Sequence, residues 1–400
     1  MKKSELAAAI DVQAAERKKR LGMPRMALLD LPSERKFATV VTGVRRCGKS
    51  TLLDQWVAQR QESTVAVHFD DLRLTSFETG DFLVLDEIVR TRGSDVVVLD
   101  EVQDVPQWER YVTGCLDLGR RVLVTGSNAK MLSREFGTKL TGRHLDLTLF
   151  PFSFREFLRF LKREAAVDTL DEYLSIGGFP AYVETRRQEI LIELFNDILY
   201  RDIVVRYGLR DAQPIRSLAT FLLSHVGCRV SPSRLKDAIH VNSPSTVLEY
   251  FSFLEETYLV ERLPQFANAP KAALLAPKKV YACDTGLVTA LEPVDGTNLG
   301  HKLENLVYLK LRAQGGRLSY FTGGDETECD FVHEDRRGTF TAVQVAWELT
   351  PDNEAREVAG AVRAMERFGL KECALVTRAQ SDLIQTNGRL IRVVPAYEWL

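Results

Sequence analysis

Gly43-Val44-Arg45-Arg46-Cys47-Gly48-Lys49-Ser50 fits the pattern GxxxxGK[ST] and lies between a β-branched run at 39–42 and a helical pattern at 50–60. Strand, glycine-rich turn and helix in that order predict a phosphate loop. The glycines let the backbone curl until successive N–H groups and the helix N-terminus face one anion. Gly43, Val44, Arg45, Arg46, Cys47, Gly48, Lys49, Ser50 and Thr51 are therefore the candidate nucleotide-binding residues, with ATP and Mg²⁺ the expected cofactors. Lys49 would reach the β- and γ-phosphates, the Ser50 hydroxyl would ligate Mg²⁺, and Thr51 would lie near the α-phosphate. Arg45 and Arg46 are open between a loop tip and a contact with another subunit.

Further along, Asp95-Val96-Val97-Val98-Leu99-Asp100-Glu101 reads as a buried strand ending in two acids, at the edge where open α/β sheets bind their ligands. Asp100 is expected to hold Mg²⁺ through water, and Glu101 to orient and deprotonate the attacking water. A third run, 121–125, ends at Gly126-Ser127-Asn128. NTPases with a Glu base place an extra strand between the phosphate-loop strand and the Asp-Glu strand, so Asn128 is the candidate γ-phosphate sensor. Arg143, in Thr141-Gly142-Arg143 before the strand 144–149, is the candidate catalytic finger for a neighbouring subunit. A local salt bridge is its alternative and Arg134 its competitor.

Five runs, FATVVTG, STVAVHF, DVVVLD, RRVLVTG and HLDLTLF, alternate with amphipathic helical patterns between 37 and 150. The fold class is α/β: a P-loop ATPase parallel sheet with helices on both faces, then a helical region and a C-terminal α/β domain. The expected divisions are 1–30, an N-terminal helix and linker; 31–150, the ATPase core; 151–268, a helical lid and winged-helix-like region; and 269–400, the C-terminal domain. Over 400 residues, 53 Lys+Arg against 55 Asp+Glu give a net charge of -2, which excludes nucleic-acid binding by bulk charge. Six scattered cysteines with no CxxC pair argue against a disulfide framework or a zinc site and for a reduced, cytoplasmic setting. No apolar run is long enough for a membrane span.

In order, GVRRCGKSTLL, VVVLDEVQDVPQWE, VLVTGSNAKMLSRE, LTGRHLDLTLFPFSFREFL, GGFPAYV, YRDIV and YACDTGL resemble the widespread bacterial and archaeal AAA+ ATPase family. In that family a winged-helix-like region and a C-terminal domain of unknown function follow the ATPase core. The resemblance implies an ASCE-type P-loop fold with Lys49, Ser50, Asp100, Glu101 and Asn128 in the roles above, and Arg143 in a shared motif position.

Three helical patterns at 214–226, 231–240 and 243–259 have helix-turn-helix spacing. The third carries Glu249, Glu255 and Glu256, which would repel phosphates, while Arg229, Arg234, Lys236 and His240 lie on the preceding elements. Backbone binding and pure packing are equally open for this region. In the C-terminal domain, Glu304 on a helix, Asp330 on a strand and Val343-Gln344-Val345-Ala346 on the next follow a restriction-endonuclease-like order. Gln344 and Ala346 replace the acid and lysine of an active site, so a catalytically inactive relic is expected. Glu328, with Lys302 or Lys310, is the alternative acid and base, and Arg312, Arg317, Arg336 and Arg337 could dock nucleic acid.

These readings together predict a homo-oligomeric ring, hexamer favoured, that couples ATP hydrolysis to DNA as a translocase, helicase or branch-migration motor. DNA would be held by its backbone or structure rather than by sequence. The alternative is a nucleotide-gated protein switch or scaffold with no DNA role.

Overall fold

The computed structural model describes residues 1–32, 34–60, 62–126, 142–291, 298–323 and 327–400. They form two compact units, Met1–Phe150 and Pro151–Leu400.

In the first unit, β1 (Ala38–Thr42), β2 (Thr64–His68), β3 (Val96–Asp100), β4 (Arg121–Thr125) and β5 (His144–Thr148) form one parallel sheet in the order β2-β3-β4-β1-β5. The three inner strands are buried at every residue, which their uninterrupted β-branched runs require of strands covered on both faces. Helices α1 (Lys3–Arg17), α2 (Lys49–Ala58), α3 (Asp81–Thr91) and α4 (Trp108–Asp117) flank the sheet. α1 is part of this core. Leu6, Ala9, Ile10 and Gln13 recur at helical spacing, and the three apolar members pack with Val65, Val67, Leu85 and Val89. Burying Leu6 or Ile10 contributes about 1.5–3 kcal/mol each.

The second unit begins with helices. Phe154–Leu161 is opened by a capping box in which Ser153 and Glu156 satisfy each other's backbone N–H groups at 3.3 and 3.0 Å. Helices Gln213–Ser224, Pro232–Ala238 and Pro244–Glu256 accompany a small antiparallel sheet, β6 (Arg229–Val230), β7 (Val260–Leu263) and β8 (Lys278–Ala282), ordered β6-β8-β7. A mixed sheet follows: β9 (Arg317–Thr322), β10 (Glu328–Glu334), β11 (Phe340–Val345), β12 (Glu372–Thr377), β13 (Asp382–Thr386) and β14 (Arg389–Pro395). Its order is β13-β14-β12-β11-β10-β9. Helix Leu299–Ala313 precedes it, and helix Glu354–Phe368 joins β11 to the parallel strand β12. That helix approaches β10 so closely that a Cβ on Gly360 would lie 2.0 Å from the Glu328 carbonyl oxygen. Among the described residues no helix is long and apolar enough to cross a membrane. All six cysteines are free thiols.

Candidate functional site

The loop between β1 and α2 has the backbone its glycines predict. Gly43 and Gly48 take φ of 139° and 102°, and a Cβ on Gly43 would lie 2.1 Å from the Leu149 carbonyl oxygen. Arg46, exposed at φ 62°, forms the outer turn, whereas Val44 and Cys47 are buried. Burial pushes the Cys47 thiol up, so it stays neutral. Lys49 is 4% exposed, and its Nζ donates to the carbonyls of Gly43 and Val44 at 3.0 and 3.1 Å.

Beneath the loop lies a residue the sequence did not single out. Arg25 donates from Nη1 to the Cys47 carbonyl at 2.7 Å and from Nη2 to the Phe150 carbonyl at 2.8 Å. Its own N–H is accepted by Gln55 of α2 at 3.0 Å, which in turn holds the carbonyls of Leu21 and Met23. The segment before β1 thus fastens the loop from below. Nothing in its local sequence marks it.

At the same edge of the sheet, Ser50 Oγ donates to Asp100 Oδ1 at 3.2 Å. Thr125, fully buried at the tip of β4, donates to the same oxygen and accepts the Glu101 N–H at 2.9 Å. His68 at the end of β2 holds the other oxygen, with Nδ1 and Oδ2 2.7 Å apart. Burial opposes ionisation of Asp100, but the hydrogen bonds from His68, Thr125 and Ser50 outweigh it and hold its carboxyl below the usual range. The hydrogen bond to Asp100 likewise raises the His68 pKa. Glu101 sits at φ 54°, a left-handed conformation unusual for this residue type, and its carboxylate accepts a hydrogen bond from Gln103 Nε2 at 2.8 Å.

Ser50, His68 and Asp100 border a cleft of about 720 Å³, together with Thr51, Asp54 and the end of α1. Burial pushes the Asp54 carboxyl up to about 6 despite Arg17 at 2.9 Å. Ser50 and Asp100 together offer the hard oxygen donors Mg²⁺ takes, beside a loop whose Gly43 and Gly48 give it the curled backbone a phosphate loop needs. The residues present fit that pair of ligands.

Arg143 is not brought to this edge. Its carbonyl accepts the N–H of Ala38 at 3.0 Å, which puts it at the start of β5, about 16 Å along the strands from Gly43. Its guanidinium pairs there with Asp117 at 2.6 Å. Asn128 and Arg134 lie outside the described residues.

In the second unit, two motifs have a packing role. Asp284 of YACDTGL is buried and accepts the N–H groups of Gly178 at 2.6 Å and Leu287 at 3.1 Å. A Cβ on Gly177 would lie 2.1 Å from its carboxylate, so the paired glycines of GGFPAYV make room for this acid. The YRDIV residues fall within a π-helical segment, Ile198–Val205, that buries Asp202 and exposes Tyr200. The acids of helix Pro244–Glu256 divide by role: Glu255 pairs with Arg262 at 2.8 Å, Glu256 accepts from Ser252 and Tyr207, and Glu249 is exposed.

The nuclease-like acids do meet, around an unforeseen partner. Lys279 of β8 lies 2.8 Å from Glu304, 2.6 Å from Glu328 and 2.9 Å from Asp330. Tyr281 donates to Glu304 at 2.6 Å, and Gln344 turns its amide to the Asp330 N–H at 3.1 Å and to Glu357 at 2.6 Å. Neither expected lysine takes this place: Lys302 donates to Thr289 and Lys310 lies over the Trp399 ring. Arg229 of the helical region pairs with Glu328; of the docking arginines, Arg312 pairs with Glu261 and Arg317 with Glu334, and Arg317, Arg336 and Arg337 are exposed at one end of the β9–β10 edge.

Residues 35–158 match the family model described as an AAA domain, and residues 167–298 match one described as a domain of unknown function (DUF8612). An uncharacterised protein of Haemophilus influenzae is 28% identical over 392 residues, 91% of this chain and 94% of its own length. One of Methanocaldococcus jannaschii is 28% identical over 390 residues, 90% and 87% of the two chains. A solved Walker-type ATPase of Pyrococcus abyssi aligns over 69% of this chain and 94% of its own, with a TM-score of 0.42 and 13% identity. The N-terminal part of the chain is thus similar to AAA-type ATPase domains.

Proposed function

We propose that this protein hydrolyses ATP as an AAA+ ring and couples turnover to binding and remodelling DNA. The observation that carries the ATPase reading is that the phosphate loop with Lys49 and Ser50 and the strand tip with Asp100 and Glu101 lie at one edge of the sheet, Ser50 bonded to Asp100, with β4 inserted between β1 and β3. Lys49 would turn from the loop carbonyls to the β- and γ-phosphates of a bound nucleotide. Ser50 and Asp100 would hold Mg²⁺, which would supply charge neutralisation on the phosphates. Glu101 takes the proton of the attacking water, and Thr125 and Gln103 fix its position from the backbone and the side chain.

The DNA reading is supported by order along the chain. Three helices followed by the antiparallel pair β7–β8, with β6 added to it, favour a winged-helix reading. Helix 299–313, β9, β10, β11, helix 354–368 and β12 follow the order of a nuclease-like fold, and Lys279 among its acids argues for docking rather than cutting. Arg317, Arg336 and Arg337 are the exposed cations for a phosphate backbone.

Steady-state ATPase of wild type, Lys49→Ala and Glu101→Gln, with single-stranded, duplex and four-way-junction DNA, tests both halves. Lys49→Ala is expected to lose nucleotide binding, and Glu101→Gln to bind but turn over slower by about two orders of magnitude or more. Unchanged hydrolysis in Glu101→Gln removes the base assignment. Real turnover that no DNA form alters makes the nucleotide-gated protein switch the better reading.

A further inference from the structure

β2 and β3 pair with His68 opposite Asp100, so the two side chains leave neighbouring strands together at the nucleotide edge of the sheet. His68 is the group on Asp100 Oδ2, at 2.7 Å, while Ser50 and Thr125 share Oδ1. An ionised carboxylate only accepts, so Nδ1–H of His68 is the donor. If Ser50 turns its hydroxyl oxygen to a metal, His68 and Thr125 are left to set the rotation of the carboxylate.

His68 is itself held by an element far from it in sequence. Gln13 of α1, 5% exposed, donates from Nε2 to the His68 carbonyl and accepts the His68 N–H at Oε1, both at 3.0 Å. β2 is an outer strand of the sheet, and this side-chain amide makes the pair of bonds that a further strand would make there. The same Nε2 also donates to Asp71 at 2.9 Å. Three residues before Gln13, Ile10 is anchored in the core, and four residues after it Arg17 holds the Ala66 carbonyl at 3.1 Å.

We propose that His68 is a positioning residue that orients Asp100 towards nucleotide-bound Mg²⁺, and that Gln13 places His68, making the N-terminal helix part of the nucleotide site. This rests on the phosphate-loop reading above. Fixing one carboxylate oxygen leaves the other aimed at Ser50, and outer partners of this kind are worth on the order of 10- to 100-fold in metal affinity.

The test is equilibrium binding of a fluorescent, non-hydrolysable ATP analogue to the full chain, with Mg²⁺ and with EDTA. The gain in affinity from Mg²⁺ is the quantity read. His68→Ala is expected to cut that gain by about tenfold or more, with the EDTA affinity unchanged. His68→Asn, whose amide can still donate to Asp100, is expected to restore most of it, and Gln13→Ala to show a smaller loss of the same kind. Thermal melting without nucleotide checks that each variant is folded. A Mg²⁺ gain in His68→Ala equal to wild type overturns the proposal, as does an equal loss in Mg²⁺ and EDTA or no recovery in a folded His68→Asn. Failure of the phosphate-loop reading looks different: wild type itself then binds no nucleotide, or Lys49→Ala binds as well as wild type.

Discussion

Nζ of Lys279 lies 2.9 Å from Oδ1 of Asp330, with side-chain exposures of 4% and 10%. Burial opposes the charge on Lys279, but Asp330 and Glu304 outweigh it and keep the ammonium protonated. A fixed monovalent cation therefore sits among Glu304, Glu328 and Asp330, the acids weighed above as a metal site. Asp330 Oδ2 is also satisfied, by the Val345 N–H at 3.0 Å.

Removing that cation leaves buried acids uncompensated. Lys279→Met is expected to destabilise the second unit by about 3–5 kcal/mol, read by urea unfolding. Adding Glu304→Gln to it should return part of the loss. Wild-type stability in Lys279→Met would show that the carboxylates do not depend on this ammonium.

The same cluster sets a pH dependence. Burial raises the Glu304 carboxyl from 4.5 to about 7, so the folded chain binds this proton at pH values where the unfolded chain has released it. The contribution of this group to stability is therefore fully present below about pH 4.5 and is lost as pH rises to about 7. Glu304→Gln should remove this slope from melting temperatures followed across that window. A slope equal to wild type would assign it elsewhere.

Arg143 separates a structural role from an intersubunit one. Its exposed pair with Asp117 is worth only about 0–1 kcal/mol, so Arg143→Ala and Asp117→Ala should both fold nearly normally. Turnover should fall in Arg143→Ala alone, and mixing with Glu101→Gln, which carries an intact Arg143, should restore part of it. Equal turnover in the two variants, or no rescue on mixing, places Arg143 outside the chemistry of a neighbouring subunit.

DNA affinity should fall steeply with salt, and Arg336 and Arg337 should account for part of the slope. Each phosphate contact contributes about -0.9 to the log-log dependence on duplex DNA, so Arg336→Ala with Arg337→Ala should flatten it by about two. Binding whose salt slope is unaltered in the double variant would move the contact to another surface.

Much of the first unit was legible because its signals are local. The β-branched runs specify strands, and GxxxxGK[ST] with two acids after a strand specifies where their tips carry chemistry. The remainder was hidden by sequence distance. Thr125, His68, Gln13 and Arg25 each act through partners that adjacent strands or packed helices bring close, across separations of 22 to 125 residues. No periodicity records such pairs. The acids of helix Pro244–Glu256 are plain in the sequence, but not that Arg262 and Tyr207 hold two of them.

By itself the sequence determined a parallel α/β fold and put Lys49, Ser50, Asp100 and Glu101 on a glycine-rich loop and a strand tip, because such a loop and tip are contiguous stretches of chain. Only the tertiary structure decided that α1 reaches Asp100 through Gln13 and His68. It also decided that Lys279, rather than Lys302 or Lys310, answers Glu304 and Asp330. The physical reason is common to both. A buried charge or an outer strand must find a partner, and which residue serves depends on what packing places within hydrogen-bond reach.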